Sequence, residues 1–296
     1  MLEIKIGNSL EVPANSSRLF SNRDDAIRQS TAEVQLVCDE KYPFVYNVKF
    51  DPSLIQYDFN YCTTDKFHLK DTVAYLSDLA EELPSYSSII EIGCGQGEFV
   101  KYLRRLGFNS FGFDPTLKNS SEYLFQTLWS TANQDLCASI NYLKNPLYIM
   151  RCVLPHIPNP FDFLDSILEL NSESRVLIEF QRREFIIYNN MWTQISHDHV
   201  NIFSIGDFAE RFEILDSGEF ANCEWAYVLL KKGTTINSKV DYFSEYIEFE
   251  KVFRVRDFEI ESLAELKSPI AIYGAAGKGI VFGFSLMNSK FVGGAR

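Results

Sequence analysis

Residues 87–100 read Ser-Ser-Ile-Ile-Glu-Ile-Gly-Cys-Gly-Gln-Gly-Glu-Phe-Val, and this stretch decides the fold. Ile89 to Ile92 form a short, apolar, β-branched run that predicts a buried strand. Gly93, Gly95 and Gly97 follow at once, and apolar residues then recur at helical spacing. The sequence therefore predicts a strand, a glycine turn and a helix, an arrangement that lets a ligand approach the backbone and favours anions at the helix start.

The spacing of the glycines limits the choice of ligand. Glu98 stands where a dinucleotide-binding fingerprint needs a small residue, and the Gly-Lys-Ser/Thr end of a phosphate-binding Walker loop is absent. A glycine-rich turn in some other α/β protein is the alternative to a cofactor site. The pattern Glu91-x-Gly93-x-Gly95-x-Gly97 resembles the first motif of class I S-adenosylmethionine (SAM) methyltransferases.

This resemblance implies that SAM, with S-adenosylhomocysteine (SAH) as product, binds where the glycine turn faces its methionine part and Glu91 supports the site. A second predicted strand, Ser110–Phe113, ends at Asp114. A carboxylate there is well placed to accept hydrogen bonds from the two ribose hydroxyls. The predicted cofactor-binding residues are Glu91, Gly93, Cys94, Gly95, Gly97, Asp114, Pro115 and Arg151.

Composition excludes several classes of protein. The chain has 296 residues, 46% of them hydrophobic, which suffices for one large or two modest domains. Its net charge of −12 argues against nucleic acid as the main partner. Without a long apolar run or a start typical of a signal peptide, we expect a cytoplasmic protein that does not cross a membrane. The 6 cysteines form no Cys-x2-Cys pair and predict reduced thiols.

Strand and helix signals alternate from Ile89 to about Gly233. They predict an α/β fold with a doubly wound, mostly parallel, Rossmann-like sheet, and ligands of such sheets bind outside the carboxyl ends of the strands. Further elements are expected as strands at Ser110–Phe113, Pro146–Met150 and Arg175–Phe180, helices at Glu122–Leu128 and Pro160–Leu170, and two antiparallel edge strands at Phe212–Leu215 and Cys223–Lys231.

Three ranges are expected along the chain. Residues 1–70 are predicted to form an N-terminal extension or substrate-side subdomain, and residues 71–233 the SAM-binding catalytic domain. Residues 234–296 are predicted to hold a linker helix and the start of a truncated C-terminal α/β domain. The run Ile270–Ile280 repeats the strand, glycine turn and helix, but the residues after it are too few for a complete βαβ unit.

Histidines supply the candidate bases. His156 follows the predicted strand Pro146–Met150, and His197 and His199 flank Asp198 after the predicted strand Arg175–Phe180. Histidine titrates near neutrality and is the usual general base at pH 7. A structural or surface role is the alternative for each residue. A zinc site built on the His-x-His spacing is a further alternative, although no third ligand is evident.

Several segments resemble the bacterial sugar C-methyltransferases of deoxysugar biosynthesis, which use SAM and a nucleotide-linked keto-sugar. Arg-Cys-Val-Leu-Pro-His-Ile-Pro-Asn-Pro at 151–160 is similar to that family's Arg-His-Val-Leu-Glu-His-Ile-x-x-Pro segment. His-Asp-His-x-x-x-Phe-Ser at 197–204 is similar to its His-Glu-His-x-x-x-Phe-Ser segment. Tyr-Gly-Ala-Ala-Gly-Lys-Gly at 273–279 resembles the opening of its C-terminal domain, and the similarity spans roughly residues 30–288.

The resemblance implies roles for four catalytic residues. His199 would be the general base, Asp198 would stand for the family's assisting glutamate, and His156 would lie close to the sugar. Tyr61, or Tyr57 in its place, would contact the reacting region. The mechanism needs no metal, because the base forms an enolate whose carbon attacks the SAM methyl group.

The chain also departs from the family pattern. Four zinc-binding cysteines are usual near the N-terminus, but here only Cys38 remains, with Lys41 in its partner's place, so we expect no zinc. The expected function is C-methylation of a nucleotide-linked keto-deoxysugar, a small-molecule substrate, in surface-polysaccharide or natural-product glycosylation, without nucleic acid or membrane as partner. An O- or N-methyltransferase of a sugar or small metabolite, or a non-catalytic SAM-binding subunit, are the alternatives.

Overall fold

A computed structural model gives the fold of the chain. The structure describes residues 4–15, 20–22, 24–25, 28–55, 72–76, 88–130, 145–233, 242–266 and 278–287. Their strands are β1 (Ile4–Pro13), β2 (Thr31–Cys38), β3 (Val45–Asn47), β4 (Ser88–Ile92), β5 (Ser110–Phe113), β6 (Leu124–Phe125), β7 (Pro146–Arg151), β8 (Arg175–Gln181), β9 (Asn201–Ile202), β10 (Phe212–Phe220) and β11 (Trp225–Lys232). Their α-helices are α1 (Glu98–Arg105), α2 (Pro160–Leu168), α3 (Arg183–Tyr188), α4 (Tyr242–Ala264) and α5 (Lys278–Met287).

The chain divides into two compact units. The glycine-turn unit comprises Tyr57–Arg182 and Ile205–Ser238. The histidine-loop unit comprises Met1–Gln56, Arg183–Ser204 and Lys239–Arg296. Each unit therefore combines segments that are distant in sequence.

The glycine-turn unit contains a seven-stranded sheet in the order β10-β11-β8-β7-β4-β5-β6. Strands β8, β7, β4, β5 and β6 run parallel, and β11 and β10 are added antiparallel at one edge. Every residue of β4 is buried, as expected for a parallel strand that is covered on both faces. The predicted doubly wound, mostly parallel sheet is confirmed.

Alternation along the strands places apolar side chains together on one face of this sheet. Helix α1 and the helical residues 72–76 contribute to the same apolar cluster. The buried residues of that cluster are Tyr75, Ile89, Phe99, Leu103, Leu147, Ile149, Leu177 and Leu229. Polar residues continue the same face at the carboxyl ends of the strands, where ligands of such sheets bind.

One expected helix is wrong. The stretch Glu122–Leu128 contains the two-residue strand β6, whose Leu124 and Phe125 pair in parallel with Gly112 and Phe113 of β5. Ser121 Oγ accepts a hydrogen bond from Leu124 N at 3.1 Å and holds the start of this strand. Pairing at the sheet edge therefore overrides the local preference for a helix.

The histidine-loop unit contains a four-stranded antiparallel sheet in the order β1-β2-β3-β9. Helices α4 and α5 contribute Phe249, Val252, Phe253 and Val281 to a core that also includes Val34 and other buried residues of the sheet. Because β9 follows the His197–His199 loop directly, its pairing with β3 fixes one end of that loop. Across the part of the chain that is described, no helix is both long enough and apolar enough to span a bilayer.

Candidate functional site

The glycine turn has the conformation that its sequence predicts. Gly93, Gly95 and Gly97 have φ angles of +75°, +56° and +77°, in the left-handed region that glycine tolerates best. Gly93 N donates to Phe113 O at 2.8 Å, which ties the turn to β5. A Cβ atom at Gly93 would lie 2.3 Å from Val153 Cγ2, so a side chain does not fit there. The turn therefore presents bare backbone at the carboxyl edge of the sheet.

Asp114 links the glycine turn to the segment after β5. Its Oδ2 accepts a hydrogen bond from Gly95 N at 2.8 Å. Its Oδ1 accepts bonds from Thr116 N at 2.7 Å and from Thr116 Oγ1 at 2.6 Å, while Pro115 between them is half-buried. An ionised carboxylate offers about four acceptor positions, so these three bonds leave room for a further donor. Asp114 is thus a rigid acceptor beside the turn.

Glu91 and Arg151 form a buried ion pair on neighbouring strands. Glu91 Oε1 accepts from Arg151 Nε at 2.9 Å and from Nη2 at 2.8 Å. Glu91 Oε2 is buried and has no hydrogen-bond partner among the described residues. Burial raises the pKa of Glu91, and the charge of Arg151 opposes this shift. The guanidinium also lies 4.4 Å from the centroid of the Phe99 ring. These contacts hold two of the predicted cofactor-binding residues together.

Glu179 of β8 is a buried acid that sequence reasoning missed. Its Oε1 accepts hydrogen bonds from Thr72 Oγ1 at 2.5 Å and from the Tyr75 hydroxyl. Tyr75 stacks on Tyr227 with 4.2 Å between ring centroids. Burial, followed by the charge of Glu179, raises the pKa of Tyr75 well above its ordinary value. The available signal was a glutamate inside an otherwise apolar strand, which needs a buried partner.

Cysteines near the turn have packing roles in this structure. Cys94 is buried, and its Sγ packs against Gly112. A Cβ atom added at Gly112 would lie only 2.7 Å from that sulfur. Only the backbone of Cys94 therefore remains for a ligand. Cys152, directly after β7, has a φ angle of +57°, and its N–H donates to Glu179 O at 3.0 Å.

His156 lies in the same unit as the glycine turn. It ends the 3-10 turn Leu154–His156 that follows β7, and its backbone N–H donates to Val153 O at 3.0 Å. The imidazole is half-buried. The structure thus places His156 after the strand that also carries Arg151.

His197 is fixed inside the histidine-loop unit. The residue is fully buried, and its Nε2 lies 3.3 Å from both the N and the O of Asp51. Its ring centroid is 5.2 Å from that of Phe50. Nδ1 has no hydrogen-bond partner within the ranges that the structure describes. These contacts anchor the start of the loop.

Asp198 and His199 are less enclosed than His197. Both are half-buried and lie in a loop. They are therefore not forced onto opposite faces, as neighbouring residues of a strand would be. Asp198 Oδ1 accepts a hydrogen bond from Ser196 Oγ at 2.8 Å. The first histidine therefore supports the loop, whereas the second, the predicted base, retains partial exposure.

Some predicted residues lie outside the described residues. Tyr61 and its alternative Tyr57 are among them, as are residues 267–277 of the second glycine-rich motif. Lys278 begins helix α5 of the histidine-loop unit.

Cys38 and Lys41, the pair that led us to expect no zinc, lie at the end of β2 and in the loop that follows it. Asp39 Oδ1 accepts from Lys41 N at 2.8 Å and from Tyr42 N at 3.2 Å, so a carboxylate organises this turn. Within the described ranges, no group of three or more His, Cys, Asp or Glu side chains could hold a metal ion.

Several solved structures are similar to part of the chain. A SAM-dependent methyltransferase from Archaeoglobus fulgidus is 16% identical, with coverage of 57% of this chain and 97% of that one and a TM-score of 0.38. The magnesium protoporphyrin IX methyltransferase of Synechocystis PCC 6803, crystallised with SAH, is 17% identical, with coverage of 56% and 81% and a TM-score of 0.35. The N-methyltransferase NodS of Bradyrhizobium japonicum WM9 is 14% identical, with coverage of 58% and 99% and a TM-score of 0.37. Their substrates say nothing about the substrate of this chain.

No curated protein matches the sequence. A family profile described as a methyltransferase domain matches residues 66–215, which is more than half of the 296-residue chain. That match includes β4, the glycine turn, Asp114 and Arg151, and it confirms the prediction of a SAM-dependent methyltransferase. The chain therefore belongs to the methyltransferase domain family.

Proposed function

We propose that this methyltransferase adds a methyl group to a carbon atom of a nucleotide-linked keto-sugar, with His199 as the general base. The observation that supports the cofactor assignment is the hydrogen bond of 2.8 Å between Gly95 N and Asp114, since it couples the bare glycine backbone to a rigid carboxylate. The sugar assignment is supported by the segments at 151–160 and 197–204, which resemble sugar C-methyltransferases.

The residues present fit SAM as the cofactor. The ligand has an amino-acid end, two ribose hydroxyls and a positive charge, so it needs backbone access, a hydroxyl acceptor and nearby acids. The left-handed glycines give access, Asp114 has acceptor capacity, and Glu91 Oε2 is buried with no partner in the described part of the chain. We assign cofactor binding to Glu91, Gly93, Cys94, Gly95, Gly97, Asp114, Pro115 and Arg151. When bound, SAM supplies an electrophilic methyl group.

Proton abstraction is assigned to the loop of the histidine-loop unit. A ketone acidifies the adjacent C–H bond, and the imidazole of His199 would take that proton to leave an enolate on the sugar. Asp198, held by Ser196, would assist His199. His156 would lie close to the sugar, and Tyr61 would contact the reacting region. Orientation and a base poised near neutral pH are the main contributions of the protein.

Isotope exchange tests this proposal. The full chain is incubated in D₂O with a panel of nucleotide-linked keto-sugars, with and without SAM, and deuterium next to the ketone is measured by mass spectrometry. C-methylation predicts deuterium at that carbon, and His199→Asn should abolish the exchange. Methylation of a sugar without any exchange at carbon would favour an O- or N-methyltransferase. Binding of SAM without turnover of any keto-sugar would favour a non-catalytic subunit.

A further inference from the structure

Residues 45–51 run beside the loop that carries the proposed base and contact it at both ends. Strand β3 pairs antiparallel with β9, and Asn47 N at the end of β3 donates to Val200 O at 2.7 Å. At the start of the loop, His197 Nε2 lies 3.3 Å from both the N and the O of Asp51. All of these residues belong to the histidine-loop unit. One short segment therefore holds the chain on both sides of the base.

The side chain of Asn47 shapes this segment. It is 2% exposed, and its Oδ1 accepts hydrogen bonds from Gln35 N of β2 and from Lys49 N, both at 3.0 Å. Val48 N donates to Gln35 O at 3.0 Å, and in a regular antiparallel pair Gln35 N would donate back to Val48 O. Asn47 Oδ1 supplies the acceptor instead, and its bond to Lys49 N closes a turn, so β3 ends here and the chain turns away from β2.

An alanine at this position could not keep these bonds. An amide oxygen has two lone pairs, and the two backbone donors use both of them. Gln35 is only 7% exposed, so its N–H group would lose its acceptor in a place with little access to water. Such a buried, unpaired N–H group is costly, and the segment would have to shift to satisfy it. The same shift would move Asn47 N, which holds the carbonyl of the residue directly after the base.

We propose that Asn47 is a positioning residue, whose side chain fixes the segment that holds both ends of the loop and thereby sets the place of the His199 imidazole. This inference rests on the proposed role of His199 as the general base. Asn47 acts through the backbone of the loop and takes no part in proton transfer. A base must lie within hydrogen-bond reach of the proton that it removes, and a displacement of about 1 Å can cost about 10²-fold in rate.

The first measurement is nuclear magnetic resonance of the full chain with isotope-labelled histidine. The chain has 4 histidines, so single His→Asn variants assign each imidazole signal. In Asn47→Ala the signals of His197 and His199 should shift or broaden relative to the parent. Asn47→Ser, which should fold even where Asn47→Ala does not, should give a smaller change in the same direction, because a hydroxyl closes such a turn more weakly.

Val12→Ala is the matched control for a general loss of stability. Val12 is 1% exposed and packs in the core of the same unit, but it lies on β1, at the opposite edge of the sheet from β9. Unfolding in urea measures the stability of each variant. At a comparable loss of stability, the imidazole signals of Val12→Ala should match those of the parent.

The second measurement is deuterium exchange into the panel of nucleotide-linked keto-sugars. Asn47→Ala should lower the exchange turnover about 10- to 100-fold, because the base is displaced but still present. Its dissociation constant for SAM should equal that of the parent, since SAM binding is assigned to the glycine turn and its neighbours. Val12→Ala should keep the turnover of the parent.

Three results would overturn the inference. They are unchanged His199 signals in a folded Asn47 variant, equal changes in Val12→Ala, and displaced His199 signals with the exchange turnover of the parent. Exchange that survives in His199→Asn, or absence of exchange by the parent on every sugar, would instead overturn the proposed function. The imidazole signals would then still show whether Asn47 fixes the loop, so the two failures are distinguishable.

Discussion

The carboxyl edge of the glycine-turn unit and the loop of the histidine-loop unit are built differently. At the edge, a contiguous motif from Glu91 to Gly97 supplies most of the predicted residues, and short hydrogen bonds fix them. In the loop, His197 is fixed by Asp51, a residue distant in sequence. The edge is thus determined largely by local sequence, whereas the loop depends on folding of a unit assembled from three segments.

This difference has a chemical counterpart. The edge is buried and ionic, so its residues suit the binding and orientation of a ligand. The loop ends in the half-buried Asp198 and His199, which suits a group that exchanges protons. Substitutions in the loop should therefore lower turnover, whereas substitutions at the edge should lower stability or cofactor affinity.

The largest effect is expected from His199→Asn. The variant should lose roughly 10²–10⁴-fold in turnover, because it removes the proposed general base. Its affinity for SAM, measured by calorimetry, should equal that of the parent, since SAM binding is assigned to the glycine turn and its neighbours and not to His199. Turnover within a few-fold of the parent would remove His199 from the role of base.

Arg151→Met should lower the free energy of unfolding. It leaves the buried Glu91 without its ion-pair partner, which costs about 3–5 kcal/mol in comparable cases. The measurement is the free energy of unfolding in urea. Arg211→Met is the control, because Arg211 contacts Asp162 and Asp165 with a side chain that is 41% exposed, and its loss should cost at most about 1 kcal/mol. Equal losses for both variants would contradict a special role for the buried pair.

Gly93→Ala tests the turn itself. A left-handed φ angle and the close approach of Val153 should make this change cost about 1–3 kcal/mol. Gly206→Ala in the same unit is the control, since a Cβ there meets no atom within 4 Å. Thermal unfolding of both variants measures the difference. A Gly93→Ala variant as stable as Gly206→Ala would show that the turn is less constrained than its contacts indicate.

The smallest effect is expected from Tyr75→Phe, at alkaline pH. Because burial raises the pKa of Tyr75, its contribution to stability is complete below the ordinary tyrosine pKa of about 10 and is lost as pH rises through the raised value. The stability advantage of the parent over Tyr75→Phe, about 1 kcal/mol at neutral pH, should therefore shrink above pH 10. Thr72→Val removes a hydrogen bond to the same carboxylate but no titrating group. Its loss of stability relative to the parent should therefore not shrink above pH 10.

The same comparison explains what sequence could predict. The strand, the glycine turn and Asp114 could be predicted because their residues are adjacent in sequence and glycine marks positive φ directly. The contact of Thr72 and Tyr75 with Glu179 could not, since it joins residues more than 100 positions apart. The helix expected at Glu122–Leu128 was wrong because pairing with β5 decides that segment. Local pattern therefore predicted the structure of the carboxyl edge better than its buried support.

The most direct test of the cofactor assignment is calorimetric titration of SAM into the parent, Asp114→Ala and Thr116→Val. Asp114→Ala should weaken binding by about 1–3 kcal/mol, because it removes the acceptor assigned to the ribose and the anchor of Gly95. Thr116→Val, which removes only a hydroxyl bonded to that carboxylate, should bind nearly as well as the parent. Unchanged affinity in Asp114→Ala would contradict the assignment of this edge as the SAM site.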